Sequence, residues 1–223
     1  MLSILCVTRV EPFTHSFLHD MSQLSERLHA EFVVGVDRPL TAFLPPFAKI
    51  VKVENTGPSL EGVLDKCLSY CSGDFVLRLD DDERCSSAMV KWLEEREYEM
   101  KNHWSFPRVH LWSDKETALI NPPLWPDPQT RLSLRSFAGG RTSLHSGSPF
   151  GFGANAPVAI EHHKFLVRSY AERKAIVERY DAFHKGFGSG VFLPYSLPED
   201  AYTDFKLIPY DEVTHDLLFS TGP

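Results

Sequence analysis

The chain has 223 residues, of which 43% are hydrophobic and 24% are charged, and this composition is ordinary for a globular protein with a sizeable core. A net charge of -7 and a pI near 5.8 provide no basic surface of the kind that nucleic-acid binding requires, so we expect no nucleic-acid partner. No apolar run approaches the roughly 20 residues that span a bilayer, and the first residues have the pattern of a strand rather than of a secretory signal. We therefore predict a cytoplasmic protein without a transmembrane segment.

The first half of the chain alternates strand and helix patterns. Continuous apolar runs predict strands, and apolar residues at helical spacing predict the helices between them. Alternation of this kind is typical of a mainly parallel, doubly wound α/β sheet. The predicted strands cover residues 2–7, 31–36 and 50–53, and the predicted helices run from Phe17 to Leu28 and over residues 59–70.

Four cysteines, Cys6, Cys67, Cys71 and Cys85, lack the spacing of a zinc site. Cys67 and Cys71 fall one helical turn apart. We interpret all four as reduced thiols of the core or the surface.

A fourth predicted strand, over residues 73–79, leads directly into four acidic residues, Asp80, Asp81, Asp82 and Glu83. Clustered carboxylates repel one another, and a hard divalent cation with oxygen ligands relieves that repulsion. If the backbone stays extended, Asp80 and Asp82 project to the same side. The pattern predicts a metal site at a strand end, and its alternative is a solvated turn that caps the helix after Ser86 and Ser87.

After Lys101 the chain is rich in proline, glycine and tryptophan, which predicts a loop-rich half that either shapes a pocket wall or forms an irregular surface. One further helix is predicted over residues 164–184, followed by a loop-like tail over 187–209. With no internal repeat or linker, a boundary near residue 105 would separate two lobes, 1–104 and 105–223, of a single domain.

The chain resembles a small GT-A glycosyltransferase, similar to glycosyltransferase family 2 and lipopolysaccharide-type relatives, over most of residues 2–184. The matching segments are the strand and Thr/Arg loop at 4–9, the strand ending in Asp at 33–37, the helix at 60–71, and a G-D-(apolar)-L-D-x-D motif at 73–82. The resemblance implies the GT-A (nucleotide-diphospho-sugar transferase) fold, in which 1–104 would bind the nucleotide sugar and the second lobe would face the acceptor.

The resemblance also assigns roles to the acidic DXD segment. Asp82 would bind the metal directly, and Asp80 would contact the ribose or a metal-bound water, with Asp81 beside it in the nucleotide-sugar site. The nucleoside would be held by Thr8, Arg9 and Asp37.

Two looser matches lie in the second half. Residues 126–132 are similar to a P-D-x-Q-x-R-L segment, which makes Arg131 a candidate phosphate ligand, with a salt bridge to a surface carboxylate as the alternative. Residues 160–165 resemble an I-x-H-Y-x-(F/Y) segment, so His162 would complete the metal shell and His163 would occupy the aromatic position. An imidazole beside carboxylates favours Mn²⁺ over Mg²⁺. The alternative is a surface histidine pair at a helix start.

One departure concerns the catalytic base. Inverting relatives often have H-E where this chain has His145 and Ser146. Either Asp127 takes the proton of the acceptor hydroxyl, or the enzyme retains configuration and needs no such base. The run 146–155, with three glycines, is a candidate loop that closes over the sugar.

The sequence thus predicts a metal-dependent glycosyltransferase that moves a sugar from a nucleotide sugar, expected to be a UDP-sugar, to a hydroxyl of a glycan, a lipid-linked saccharide or a protein. Two alternatives stay open: a metal-dependent phosphohydrolase or nucleotidyltransferase, and a non-catalytic module that binds nucleotide sugars. Nothing in the pattern fixes the oligomeric state.

Overall fold

The computed structural model describes residues 1–40, 44–54, 60–120, 124–139, 153–183, 185–186, 188–189, 195, 198 and 206–210. The chain forms two compact units. Unit 1 comprises Met1–Pro107 and Pro128–Glu161, and unit 2 comprises Arg108–Asp127 and His162–Pro223. The chain passes from unit 1 to unit 2 after Pro107, returns to unit 1 over 128–161, and passes to unit 2 again from His162.

The described part of the chain contains the following elements. The strands are β1 (Leu2–Thr8), β2 (Glu31–Val36), β3 (Lys49–Lys52), β4 (Phe75–Leu79), β5 (Glu83–Cys85), β6 (His103–Phe106), β7 (Arg108–Leu111), β8 (Thr117–Leu119), β9 (Gln129–Leu134), β10 (Ala154–Asn155), β11 (Ile160–His162) and β12 (Leu207–Pro209). The α-helices are α1 (Thr14–Arg27), α2 (Glu61–Leu68), α3 (Ser87–Glu94), α4 (Arg135–Ala138), α5 (Lys164–Val167) and α6 (Tyr170–Phe183), with a 3-10 helix at Glu97–Met100.

Unit 1 is built on a seven-stranded sheet with the order β10-β6-β9-β4-β1-β2-β3. β1 is parallel to both of its neighbours, β2 and β4, and β2 is parallel to β3, whereas β9 runs antiparallel to β4 and β6. The predicted α/β class with a mainly parallel sheet is confirmed. Every residue of β1 is buried, which explains its continuous apolar sequence, because a central parallel strand is covered on both faces.

Side chains of β1 alternate between two apolar clusters, one on each face of the sheet. Ile4 and Cys6 belong to the cluster that contains the buried residues of α1 and α3, and Leu5 and Val7 belong to the cluster that contains those of α2. Helices therefore cover both faces, as the doubly wound pattern predicted. The strands begin and end close to their predicted limits, since each is an apolar run bounded by polar residues.

The second half differs from the predicted pattern in two places. The segment from residue 103 to 134 contains the four strands β6, β7, β8 and β9 between its loops. The single helix predicted over 164–184 is divided into α5 and α6, with Arg168 in an extended conformation between them. Ser169 and Glu172 then form a capping box, in which the Glu172 carboxylate accepts from the Ser169 N–H at 2.7 Å and the Ser169 hydroxyl accepts from the Glu172 N–H at 3.4 Å.

Unit 2 contains the antiparallel strands β7 and β8, with β12 paired antiparallel to β8. Its apolar cluster comprises Leu119, Leu124, Val177 and Tyr195, with Trp112 and Phe165 packed against it. Across both units, none of the described helices is long and apolar enough to cross a membrane.

All four cysteines are free thiols, as predicted. Cys6, Cys67 and Cys71 are buried, and Cys85 is half-buried. Burial raises the pKa of Cys67 to about 11 and that of Cys71 to about 12, so these thiols stay protonated at neutral pH.

Candidate functional site

Three neighbouring parallel strands of unit 1 end at one edge of the sheet. Thr8 ends β1 and is paired with Val36 at the end of β2, and Cys6 of β1 is paired with Leu79 at the end of β4. The segments that follow these strand ends carry Arg9, Asp37 and the acidic residues 80–82. The strand order therefore brings the residues predicted for the nucleotide-sugar site to the carboxyl edge, where open α/β sheets bind ligands.

Asp81 is fixed by hydroxyl groups from the segment around the end of β1. Thr8 Oγ1 donates to Asp81 Oδ2 at 2.7 Å, and Thr14 Oγ1 lies 3.3 Å from the same oxygen. The Val10 N–H donates to Thr8 Oγ1 at 3.0 Å, which orients that hydroxyl. Thr8 and Asp81 therefore hold the ends of β1 and β4 together. Thr14 was not among the predicted site residues, because nothing in the sequence of α1 distinguishes this threonine before the fold is known.

The acidic residues do not continue as an extended strand, so the predicted alternation of Asp80 and Asp82 does not apply. The Glu83 N–H donates to the Asp80 carbonyl at 2.9 Å, and the Asp80 N–H donates to Glu83 Oε2 at 3.0 Å. These two bonds close a turn between β4 and β5. Ser86 is the N-cap of α3, with its hydroxyl accepting from the Met89 N–H at 3.1 Å, so the cap of that helix is not supplied by the acids.

Glu83 and Arg131 form a buried ion pair beneath this turn. Arg131 Nε donates to Glu83 Oε2 at 2.9 Å, and Arg131 Nη2 donates to Glu83 Oε1 at 2.7 Å and to Asp80 Oδ2 at 2.5 Å. The side chains of Arg131 and Glu83 are 4% and 0% exposed. The geometry therefore favours the salt-bridge alternative for Arg131, although its main partner is a buried carboxylate and not a surface one.

Asp80 is approached by a second guanidinium, because Arg78 Nη2 lies 3.6 Å from Asp80 Oδ1. The Asp80 side chain is nevertheless 44% exposed, so it remains open to a ligand. Arg78 was not among the predicted site residues either. The available signal was a single charged residue within the otherwise apolar strand β4.

Arg84 secures the same turn from the other side. Its guanidinium donates to Asp20 at 2.6 Å and to the carbonyl oxygens of Asp81 and Glu83 at 3.3 and 2.9 Å. It also lies over the ring of Phe17, 4.8 Å from the centroid. The turn that presents the acids is thus anchored through side chains of α1.

Asp37 presents a buried oxygen that has no hydrogen-bond partner among the described residues. Its side chain is 8% exposed, and Arg38 Nε lies 3.8 Å from Oδ1, beyond hydrogen-bonding distance. A buried acceptor without a donor is costly, and native proteins rarely leave one unsatisfied. This atom is therefore suited to accept from an N–H or O–H of a ligand.

The carboxylates of this edge are the hard oxygen donors that Mg²⁺ and Mn²⁺ prefer. Asp82 is 7% exposed. Within the described ranges, no three or more His, Cys, Asp or Glu side chains are grouped closely enough to hold a metal ion by themselves. The residues fit a cation that takes one or two carboxylates from the protein and its other ligands from phosphate and water.

Asp127, the predicted base, lies in unit 2 and is held by Arg108 and His110. Arg108 Nε donates to Asp127 Oδ2 at 2.9 Å, Arg108 Nη2 donates to the same oxygen, and His110 Nε2 lies 3.4 Å from it. Burial alone would raise the pKa of Asp127, but the positive charge of Arg108 and the bond to His110 hold that pKa far below its usual range. Such a carboxylate is a poor proton acceptor, so this environment does not suit a general base.

His162 and His163 are both buried, at 1% and 5% exposure, so the alternative of a surface histidine pair was wrong. His162 Nδ1 lies 2.9 Å from His110 Nδ1. His145, Ser146 and the first part of the candidate closing loop, 146–152, lie outside the described residues.

No family model matches the sequence, and no curated protein matches it. Solved structures give partial similarities. Residues 1–349 of S. aureus TarS are 14% identical with a TM-score of 0.48, covering 87% of this chain and 71% of that chain. A longer S. aureus TarS structure is 12% identical with a TM-score of 0.47, covering 90% of this chain and 44% of that chain.

TarS 1–349 has also been solved in complex with UDP-GlcNAc. A third structure, the 2-C-methyl-D-erythritol 4-phosphate cytidylyltransferase of Thermus thermophilus, is 13% identical with a TM-score of 0.38, covering 61% of this chain and 72% of that chain. Every one of these TM-scores is below 0.5.

Proposed function

We propose that the chain is a GT-A-type glycosyltransferase that moves a sugar from a nucleoside diphosphate sugar, a UDP-sugar in the first instance, to a hydroxyl acceptor. The observation that carries this proposal is the buried oxygen of Asp37, which has no hydrogen-bond partner in the part of the chain that the structure describes and lies at the same sheet edge as the acidic turn 80–83. A nucleotide sugar has N–H and O–H donors on its nucleoside and a negatively charged diphosphate beside it. The donors match the buried acceptor of Asp37 after β2, and the diphosphate matches the candidate metal ligands after β4, two strands away in the sheet.

In this proposal Asp37 accepts a hydrogen bond from the nucleoside, with Thr8 and Arg9 beside it on the intervening strand end. Thr8 acts through Asp81, because the Thr8 hydroxyl donates to Asp81 Oδ2 at 2.7 Å and thereby orients that carboxylate. Asp80 is exposed enough to contact the ribose or a metal-bound water, while the buried pair of Arg131 and Glu83 fixes its position by hydrogen bonds. We assign Arg131 as a residue that supports the turn.

Asp82, together with phosphate oxygens of the donor, would hold the divalent cation, for which Mn²⁺ is the first candidate. When bound, the cation supplies Lewis-acid stabilisation for the negative charge that grows on the departing diphosphate. We do not retain Asp127 as the base, because its carboxylate is committed to Arg108 and His110. The acceptor class is a hydroxyl of a glycan, a lipid-linked saccharide or a protein.

The first test measures the melting temperature with Mn²⁺ alone, with nucleotide sugars alone and with both, across UDP-, GDP- and dTDP-sugars. A ligand at about 100 times its Kd stabilises the native state by about 2.7 kcal/mol, which corresponds to about 5–10 °C for a chain of this size. We expect that increase with one donor only, and only with metal. Asp82→Ala and Asp37→Ala should each remove most of it.

The two variants should differ in the absence of ligand. Removing Asp37 deletes an unsatisfied buried acceptor, so the melting temperature of free Asp37→Ala should equal or exceed that of the wild type. Asp74→Asn is the matched control, because Asp74 lies at the opposite end of β4 with a 75% exposed side chain. If no nucleotide raises the melting temperature, the proposal is wrong. Hydrolysis of the donor diphosphate without any acceptor would instead favour a phosphohydrolase.

A further inference from the structure

A small cavity lies within unit 1, on the face of the sheet that α2 covers. Its polar lining consists of the side chains of Arg78, Arg131 and Ser133. The rest of its wall is apolar and is formed by Leu5, Leu64, Leu68, Val76 and Ala138. Among the described residues, no carboxylate lines this cavity, so both charged groups in its wall are cationic.

The two arginines of the cavity lie opposite each other on antiparallel strands. Leu77 of β4 is paired with Leu132 of β9, and the next positions in the same register are Arg78 and Arg131. Like charges that lie directly opposite each other on one face of a sheet repel, unless anionic groups compensate them. Each guanidinium therefore needs an anionic partner.

The two arginines differ in how completely they are compensated. Arg131 donates to both carboxylate oxygens of the buried Glu83 and to Asp80. Arg78 is paired only loosely, because its Nη2 lies 3.6 Å from Asp80 Oδ1, beyond hydrogen-bonding distance, and Asp80 is 44% exposed. The Arg78 side chain is itself only 14% exposed, and its buried Nε has no hydrogen-bond partner among the described residues.

A buried donor on a charged group is costly to leave unpaired, and an anion in the adjacent cavity would compensate that charge. We propose that the cavity binds a single halide ion, with chloride as the natural ligand, and that the guanidinium of Arg78 is its main ligand. The hydroxyl of Ser133 is a second donor in the same wall.

The size and the lining of the cavity both favour a halide over larger anions. Its volume is about 10 Å³, which is enough for one particle of about the size of water and too little for a whole phosphate or carboxylate group. Part of the wall is apolar, so the ion must lose water when it enters. That cost is smaller for large, singly charged ions, which favours chloride and bromide over fluoride.

The test in solution compares melting temperatures in sodium chloride and in sodium gluconate at equal ionic strength, without metal or nucleotide. Gluconate is too large for the cavity. We expect chloride to raise the melting temperature along a saturating curve, by about 3–6 °C at about ten times its Kd. Because no metal or nucleotide is present, the result is independent of the proposed transferase function.

Arg78→Met keeps the length of the side chain but removes its charge and its N–H groups, so the chloride-specific increase should be lost. Arg27→Met is the matched control, because Arg27 is 59% exposed and is paired with Glu94, and this variant should respond to chloride like the wild type. A wild type that melts equally in chloride and gluconate would overturn the proposal. The same holds if Arg78→Met keeps the chloride response, or if inorganic phosphate stabilises the wild type and chloride does not.

A second measurement needs no variant. Crystals of the wild-type protein soaked in sodium bromide should show an anomalous peak in the cavity, within hydrogen-bonding distance of the Arg78 guanidinium. A cavity that contains only water would contradict the assignment. A bromide peak without any chloride effect on the melting temperature would mean binding at crystal concentration only, and the proposal would be wrong.

Discussion

Two arginine–carboxylate pairs in unit 1 have similar geometry but very different surroundings. The guanidinium of Arg131 donates to both carboxylate oxygens of Glu83, and both side chains are buried. The guanidinium of Arg27 donates to both carboxylate oxygens of Glu94, at 2.6 and 2.9 Å, but these side chains are 59% and 37% exposed. An exposed pair contributes about 0–1 kcal/mol. Removing one partner of a buried pair leaves an uncompensated charge, which costs about 3–5 kcal/mol. The two pairs thus provide a matched comparison for the role of Arg131.

The first prediction is that Arg131→Met lowers the free energy of unfolding by about 3–5 kcal/mol, while Arg27→Met lowers it by less than about 1 kcal/mol. Chemical denaturation of both variants at pH 7 is the measurement. The double variant Arg131→Met/Glu83→Leu should recover much of the loss, since it removes the orphaned carboxylate as well. If Arg131→Met had a small effect on stability but abolished donor binding, Arg131 would instead be a phosphate ligand, as its motif predicts.

The sequence identified Arg131 and the four acids as important, but it did not identify their pairing. The motif around Arg131 and the acidic run are separated by about 50 residues, and they meet only because β9 lies antiparallel beside β4. Glu83 looked equivalent to its neighbours in the sequence, yet the turn buries it completely. Local pattern predicts which residues end a strand, whereas strand order decides which of them touch.

At the level of elements, Glu31 ties together the beginnings of several strands at the edge opposite the candidate site. Its carboxylate accepts from Ser3 Oγ at 2.5 Å, from Ser72 N–H at 2.7 Å, from Ser72 Oγ at 2.9 Å and from Lys49. Burial would raise its pKa, but these donors lower it from 4.5 to about 2. The Glu31 side chain is only 9% exposed, so water does little to screen these contacts.

A lowered carboxyl pKa stabilises the folded state above the unfolded value of about 4.5 and loses that effect as the pH falls towards 2. We therefore predict that Glu31→Gln lowers the free energy of unfolding by about 2–3 kcal/mol at pH 7. The difference from the wild type should shrink steadily below pH 4.5. Urea denaturation at a series of pH values measures it.

Glu178→Gln is the control for this experiment, because Glu178 is 65% exposed and lies 3.8 Å from Lys174 on the surface of α6. Its effect should stay within about 0.5 kcal/mol at every pH. A wild-type advantage over Glu31→Gln that persists unchanged to pH 2 would show that packing, and not the ionised carboxylate, stabilises this edge.

The elements themselves differ in how far the sequence predicted them. β1, β2 and β4 are central apolar strands whose limits follow from composition, so they were predicted nearly to the residue. The split of the last helix was missed, because the apolar spacing continues across Arg168 and only the Ser169–Glu172 capping box marks the start of a new helix, α6. A search for that box in the sequence would have divided the helix correctly.

At the scale of the whole chain, the two units differ in the size of their apolar clusters. The two clusters of unit 1 cover both faces of a seven-stranded sheet, whereas the described cluster of unit 2 comprises four buried residues with Trp112 and Phe165 beside them. Sequence composition predicted two successive lobes, and it could not show that 128–161 forms a compact unit with the first part of the chain. That assignment depends on β9, which pairs with β4 and β6 across more than 20 residues of intervening chain.

The difference in clusters leads to a prediction for hydrogen exchange, since local stability follows the amount of buried apolar contact. Amides of β1, which is bonded to a strand on each side and buried on both faces, should exchange only through global unfolding. Amides of the paired strands β8 and β12 should exchange faster, through local opening.

Ile4→Val, which removes one buried methyl group from the core of unit 1, should lower the protection of the β1 amides by about 0.5–1.5 kcal/mol. The same substitution should leave the β8 and β12 amides unchanged, because their opening does not involve Ile4. Equal losses of protection in both places would mean instead that the chain opens as one cooperative body.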